Sequence, residues 1–272
     1  MECKNCNAEV NGKYCNHCGQ KVYTEEDKSV KKLFGEAVHF ITHFEGKFFT
    51  TLKTLFLHPG KLSKDYSNGL RQKYYKPVSF YLLVVVLYLV FPLFSGLNME
   101  MKYYKNIRFT GPYISGQIEK RIQQENLTEA QLAEKFHQKS QSTSKILLLL
   151  LIPFTVPLLW LLYFYKKRHL FDNFILATEI NIFYVLAFYL LFPPLYLAII
   201  RITNSPSYLT EGKISFLLSV IFIVYVSVLF RKVFMEKWWI ALVKGFLFVC
   251  LHTAMLTIIY KTIVFEVTFA LL

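Results

Sequence analysis

Beyond residue 77 the chain alternates long apolar runs with polar, lysine-bearing breaks, whereas before it apolar positions recur at helical spacing. Five runs, Val78–Leu97, Ile146–Tyr165, Phe174–Ile200, Ile214–Phe230 and Trp239–Thr262, approach or exceed the roughly 20 residues that cross a bilayer core. They predict an all-α integral membrane bundle of about five spans. Pro153 and Pro157 fall in the second run and Pro193-Pro194 late in the third, which predicts kinks tolerated by neighbouring helices.

Between Ser29 and Leu57 the apolar residues Phe34, Val38, Ile41, Phe44, Phe48, Leu52 and Leu55 lie three or four apart, the stripe of one helix face. His58-Pro59-Gly60 breaks that helix, and a second stripe follows at Leu62, Tyr66, Leu70 and Tyr74 among five basic residues. Aromatic-rich faces flanked by lysines suit helices that lie in the membrane interface or pack on the ends of the spans. Residues 29–76 are therefore expected to be basic amphipathic helices, and residues 77–272 the transmembrane bundle. His39 and His43 have the spacing of paired metal ligands but no third ligand beside them, and are expected to be solvated.

The polar segment 98–144 joins the first two runs. Ile118, Ile122, Leu132 and Phe136 give it a modest apolar helical face, expected to dock a partner outside the membrane or to cap the bundle.

The first 22 residues differ in kind. Cys3-Lys-Asn-Cys6 and Cys15-Asn-His-Cys18 are two Cys-x-x-Cys knuckles, and a two-residue spacing lets a tight turn aim both sulfurs at one metal. Two knuckles complete a tetrahedral four-sulfur site suited to Zn²⁺. Asn11-Gly12 between them is the preferred pair of a two-residue β-hairpin turn. The segment is thus expected to be a β-hairpin zinc ribbon whose metal is structural, because about twenty residues cannot fold on a core of their own. Two disulfides in an oxidising compartment are the alternative. His17 is expected to be a solvent-exposed neighbour and Cys250 a small buried hydrophobe.

Composition agrees with the pattern, since 54% of the residues are hydrophobic and 17% aromatic. Charge sharpens it. The formal net charge is +13, and a Zn²⁺ held by four thiolates would remove about two units. The cations cluster beside the apolar runs, over residues 28–76, at Lys166-Lys167-Arg168 and at Arg231, Lys232 and Lys237. If the spans alternate, all three clusters fall on one side, which puts the N-terminus in the cytosol and the C-terminus outside. The lipid bilayer is then the first partner, with RNA contact through the basic face as a secondary one. Segment 98–144 carries positive charge too, and long translocated loops tolerate it. No leader precedes the cysteines, so the N-terminus is expected to be retained.

Two charges fall inside the runs, Glu179 in the third and Lys244 in the fifth, and such groups are functional hypotheses by default. They are expected to pair across the bundle, either to fix helix packing or as a proton- or solute-coupling site. His252, near the middle of the fifth run, is expected to be a hydrogen-bonded packing histidine. No nucleophile, base and acid constellation, phosphate loop or paired-carboxylate site emerges.

The runs "CKNCNAEVNGKYCNHCGQK", "HFITHFEGKFFTTLKTLFLHPGKL" and "GLRQKYYKP" resemble a family of uncharacterised bacterial membrane proteins of the Bacteroidota type, with an N-terminal zinc ribbon and several spans. The five-span layout also looks loosely like the Yip-type membrane proteins. The resemblance implies a bacterial inner-membrane location and no particular activity. Three function classes follow. The first is a non-enzymatic subunit or scaffold whose cytosolic ribbon docks a partner such as ribosome or translocon machinery. The second is a transporter with a polar site in the bundle interior, and the third a membrane-embedded enzyme.

Overall fold

The computed structural model describes residues 2–3, 6–10, 12, 14–18, 46–90, 99–166, 168–203 and 211–272. The chain divides into two compact units, Met1–Phe49 and Thr50–Leu272.

In the first unit, the described part of the cysteine segment holds isolated bridge residues, Glu2 paired antiparallel with Glu9 and also Tyr14, and no strand. The expected β-hairpin is therefore not seen there, and Asn11 of its turn lies outside the described residues. Physically, paired strands this short gain little from their ladder, and a segment built round four sulfurs is organised by tight turns instead. Most of the first amphipathic stripe, with His39 and His43, also lies outside the described residues.

The second unit is mainly helical over its described length. Helix α1 covers residues 46–57, and α2 spans Lys61–Ser67 after the Pro-Gly break. The second stripe is thus a helix only as far as Ser67, and Leu70 and Tyr74 lie beyond it outside any helix. Next come α3 (Pro77–Val90), α4 (Met101–Tyr104), α5 (Gly111–Glu125) and α6 (Glu129–Ile146). Helices α7 (Leu151–Tyr163), α8 (Leu170–Val185), α9 (Phe192–Thr203) and α10 (Glu211–Phe234) follow, and α11 (Trp238–Ala254) and α12 (Lys261–Ala270) complete the chain.

Several of these join end to end. Among the described residues, four continuous helical stretches are long and apolar enough to cross a membrane: Glu129–Lys166, Leu170–Ala198, Gly212–Phe234 and Trp238–Ala270. The protein is a multi-pass membrane protein by that criterion. The first expected span is described only as the 14-residue α3, shorter than a crossing, and residues 91–97 of it lie outside the described residues.

The junctions have local causes. A π-helical segment, Leu186–Leu191, joins α8 to α9 just before Pro193-Pro194. Neither proline donates a backbone N–H, so the ladder accommodates them by widening one turn rather than by a sharp break. A 3-10 segment, Leu147–Leu150, joins α6 to α7. Carbonyls near that joint are taken by tyrosines, Ser144 O by the Tyr260 hydroxyl at 2.5 Å and Leu148 O by the Tyr81 hydroxyl at 2.6 Å.

Helix α8 is the hub. It packs against α2, α3 and α7, and nearly every residue from Ile175 to Val185 is buried. Asn181 ties α8 to α7, its side-chain amide donating to Thr155 Oγ1 at 2.9 Å and to its own helix at Ala177 O. Such interhelical bonds hold spans together where no hydrophobic gradient does. The most extensive pairing is α10 with α11, where Gly245 faces Ser227 so closely that a Cβ would collide with its hydroxyl.

The two ends of the bundle differ. At one end α4, α5 and α6 enclose a core of Met101, Tyr104, Ile114, Ile118, Leu132 and Phe136 over Phe265 and Phe269 of α12. The apolar face of segment 98–144 is thus used to cap the end of the last helix. A capping box, Thr128 with Gln131, starts α6. At the other end, α2 packs on α8 and α10, and the turn between α10 and α11 meets the end of α7.

Candidate functional site

The four cysteines come together. The sulfurs of Cys3, Cys6, Cys15 and Cys18 all lie within 4.8 Å of one another. Cys3 approaches Cys18 at 3.5 Å and Cys6 approaches Cys15 at 3.6 Å, so both close approaches run between the knuckles rather than within one. All four are free thiols, which sets aside the disulfide alternative. A tetrahedron with metal–sulfur bonds near 2.3 Å has edges of roughly 3.8 Å, so the donor set fits one metal ion.

The backbone explains the convergence. Cys3 N–H donates to Ala8 O and Asn7 N–H to Cys3 O, both at 2.9 Å, folding the first knuckle back on itself. Asn7 takes φ of 55°, the left-handed turn that asparagine tolerates better than most residues. Val10 packs with Cys3 and Cys15 in a small apolar cluster. His17 is exposed and outside the four-sulfur group, as its spacing suggests.

Glu179 and Lys244 do not meet as expected; each has another partner. Glu179 is fully buried, and its carboxylate covers the N-terminus of α2. Oε1 accepts from Gly60 N–H at 2.8 Å, while Oε2 accepts from Ser63 N–H at 2.8 Å and from the Ser63 hydroxyl. Those two amides have no acceptor within their own helix, and α2 has no side-chain cap and no acid in its first turn. A glutamate from the third apolar run therefore supplies the cap and sits at the positive end of the α2 dipole. Gly60 makes this possible. Its φ is 79°, and a Cβ would lie 2.9 Å from a Val233 methyl and 3.0 Å from Leu229 O.

Lys244 bonds Glu236 at 2.6 Å and also the Tyr165 hydroxyl. The same carboxylate accepts from Tyr165 at 2.7 Å and Tyr163 at 3.1 Å, and Lys244 lies over the Tyr163 ring at 4.3 Å. Glu236 belongs to the turn between α10 and α11, eight residues before Lys244. Burial alone would raise the Glu236 carboxyl, but these hydrogen bonds and the Lys244 charge outweigh it and hold it below the usual range. Glu179 and Lys244 lie at similar depth in their runs, but the acid of the turn before α11 is closer to hand for Lys244.

His252 is buried but not hydrogen-bonded. Neither ring nitrogen has a partner, and the ring sits among Tyr184, Phe222 and Phe248 with centroids 5.1 to 5.6 Å away. Beside it a cavity of about 530 Å³ is lined by aromatics including Tyr184, Phe188, Tyr189 and Phe222, with no charged side chain in its lining. Cys250, expected to be buried, is exposed on the outer surface of α11, because its helix turns Val249 and His252 inward instead.

Sequence reasoning missed Gly60 and Ser63 as partners of Glu179. The signal was present as two orphans: a helix start with no local cap, and an intramembrane acid with no local base.

A family model described as "Protein of unknown function (DUF3667)" matches residues 45–89. That stretch is similar to the family over α1, the Pro-Gly turn, α2 and nearly all of α3, and it contains both Gly60 and Ser63. No curated protein and no solved structure matches the chain.

Proposed function

We propose that this protein is a non-enzymatic subunit or scaffold of a bacterial inner-membrane complex, whose cytosolic cysteine cluster holds a structural Zn²⁺ and docks a protein partner. The observation that carries the reading is the convergence of Cys3, Cys6, Cys15 and Cys18 on one point. Four thiolates saturate a tetrahedral ion, leaving no position for substrate or activated water. Such an ion supplies folding energy to a short segment that then presents a fixed surface.

The bundle has five spans in this reading, α3 belonging to the first of them, with the N-terminus cytosolic and the C-terminus outside. The positive-inside rule supports that orientation, since Lys61, Lys64, Arg231 and Lys232 line one pocket at one end of the helices. A scaffold is favoured over a transporter because Glu179 and Lys244 are committed to structural partners, and the cavity beside His252 has no charged lining.

Purified protein is expected to carry one zinc per chain by elemental analysis, and the Cys15→Ser, Cys18→Ser variant none. A pull-down in gentle detergent is expected to recover a defined set of partners with the intact protein and to lose it with that variant. Zinc-free intact protein would overturn the metal assignment. A partner set unchanged by the variant would overturn docking through the cluster, and recovery of ribosomal RNA would make RNA the partner.

A further inference from the structure

At the basic end of the bundle a groove of about 880 Å³ opens between α2 and the turn that joins α10 to α11. Lys61, Lys64, Arg231 and Lys232 line it, all four exposed, and none forms an ion pair among the described residues. The acids nearby are occupied. Glu236, in the groove wall, is paired with Lys244, and Glu179 behind it covers the α2 N-terminus within reach of the Lys232 charge. The one remaining carboxylate in the wall, Asp65, takes the Tyr74 hydroxyl at 2.5 Å. Four cations therefore outnumber the two carboxylates that have no cation of their own, Asp65 and the buried Glu179, an imbalance that favours an anionic ligand.

The surroundings identify its class. The groove lies at the ends of α10 and α11, with half-buried Val228, exposed Met235 and Trp238 as its apolar lining, and Arg231 lies over the indole at 5.6 Å. A tryptophan at the start of an apolar helix marks the level of lipid headgroups. Cations beside exposed apolar side chains at that level suit a phosphate ester joined to acyl chains.

We propose that this groove binds the phosphate of an anionic phospholipid headgroup, with Lys61, Lys64, Arg231 and Lys232 as its ligands. A soluble phosphate ester shares that chemistry, and the position beside the spans selects the lipid. Each cation near an anionic surface contributes about 1 kcal/mol, or roughly fivefold in binding. The site predicts preferential retention of phosphatidylglycerol over phosphatidylcholine.

The full-length protein is tested by native mass spectrometry from micelles doped equally with the two lipids, beside two charge variants. Lys61→Gln, Lys64→Gln, Arg231→Gln, Lys232→Gln removes the groove. Lys102→Gln, Arg108→Gln, Lys120→Gln, Lys139→Gln removes as many cations at the other end. Wild type and the second variant are expected to retain phosphatidylglycerol at least tenfold over phosphatidylcholine, and the groove variant to lose the preference. Equal loss in both variants, or no preference in wild type, overturns the site. Should the groove variant fold poorly, wild type alone decides: phosphatidylglycerol nanodiscs should raise its melting temperature over phosphatidylcholine nanodiscs at low salt. No such rise overturns the proposal. Glycerol phosphate is the competitor, and its displacing the lipid at micromolar concentration would overturn the lipid source in favour of a soluble ester.

Discussion

Glu179 and Glu236 are two glutamates at the same end of one bundle, and they are stabilised in opposite ways. Glu236 has the means a surface protein would use, a lysine at 2.6 Å and two tyrosine hydroxyls, at a site where the lysine side chain keeps 20% of its exposure. Glu179 is completely buried and takes its hydrogen bonds from two backbone amides and a serine, with no cation in direct contact. The difference follows depth. A lysine beside a fully buried acid adds a second charge to desolvate, whereas a helix N-terminus supplies donors that are already fixed in place and otherwise unpaired. The first arrangement joins a turn to the helix next to it in sequence through Lys244, and to the end of α7 through Tyr163 and Tyr165, 71 to 73 residues away. The second joins α8 to a segment 116 to 119 residues away entirely through groups of that segment, with no local partner, so both fix tertiary structure but only the second does so without a neighbour in sequence.

Variants should separate the two. The largest effect is expected from Glu179→Leu, which strands two amides and a hydroxyl and costs about 3 kcal/mol or more, with Glu179→Gln intermediate. Thermal unfolding in detergent reads it, and a melting temperature equal to wild type would break the comparison. Next comes Gly60→Ala, which meets Val233 and Leu229 and forces an alanine to φ of 79°, at about 2 kcal/mol. The same melts measure it, and an unchanged Gly60→Ala would show that the α2 start adjusts freely.

Glu236→Gln is expected to cost about 1 kcal/mol near neutrality, since the pair is partly exposed. Its pH dependence gives the sharper test. A carboxyl held below its ordinary value of 4.5 stabilises the fold above that value and loses the contribution as pH falls through the depressed one. Wild type and Glu236→Gln melts should therefore differ at pH 7 and converge in strong acid. A gap that widens on acidification would reverse the sign and remove the assignment. Smallest of all, Cys250→Ser lies on the outer surface of α11 and should move the melting temperature by less than about 0.5 kcal/mol is worth.

Some of this was legible in the chain. The apolar runs located the long helices, because length and composition alone decide whether a helix can cross a bilayer. The Cys-x-x-Cys spacing located the four cysteines that come together, because a knuckle is a local object. The extents were less legible. The second run, marked from Ile146, is the end of a helix that begins at Glu129, since a polar helix can continue into an apolar one without any break in its ladder. Long-range pairing was the least legible. Glu179 was matched to a charge of opposite sign, but its partners are main-chain amides, which no residue letter advertises. Cys250, expected to be buried, is exposed, and His252, expected to be hydrogen-bonded, is buried without a partner, because hydropathy does not say which face of a span meets its neighbours or what lies there.

The grip of Glu179 on α2 also orders events in time. Gly60 and Ser63 leave the ribosome long before the acid that covers them, and at 5 to 20 residues per second the wait is on the order of ten seconds. Through that interval the start of α2 has only solvent or lipid headgroups for its bare amides. The amphipathic segment therefore settles late, after the third apolar run has been inserted, although it is made early. A stall in synthesis between α3 and α8 would leave it unlatched and open to protease.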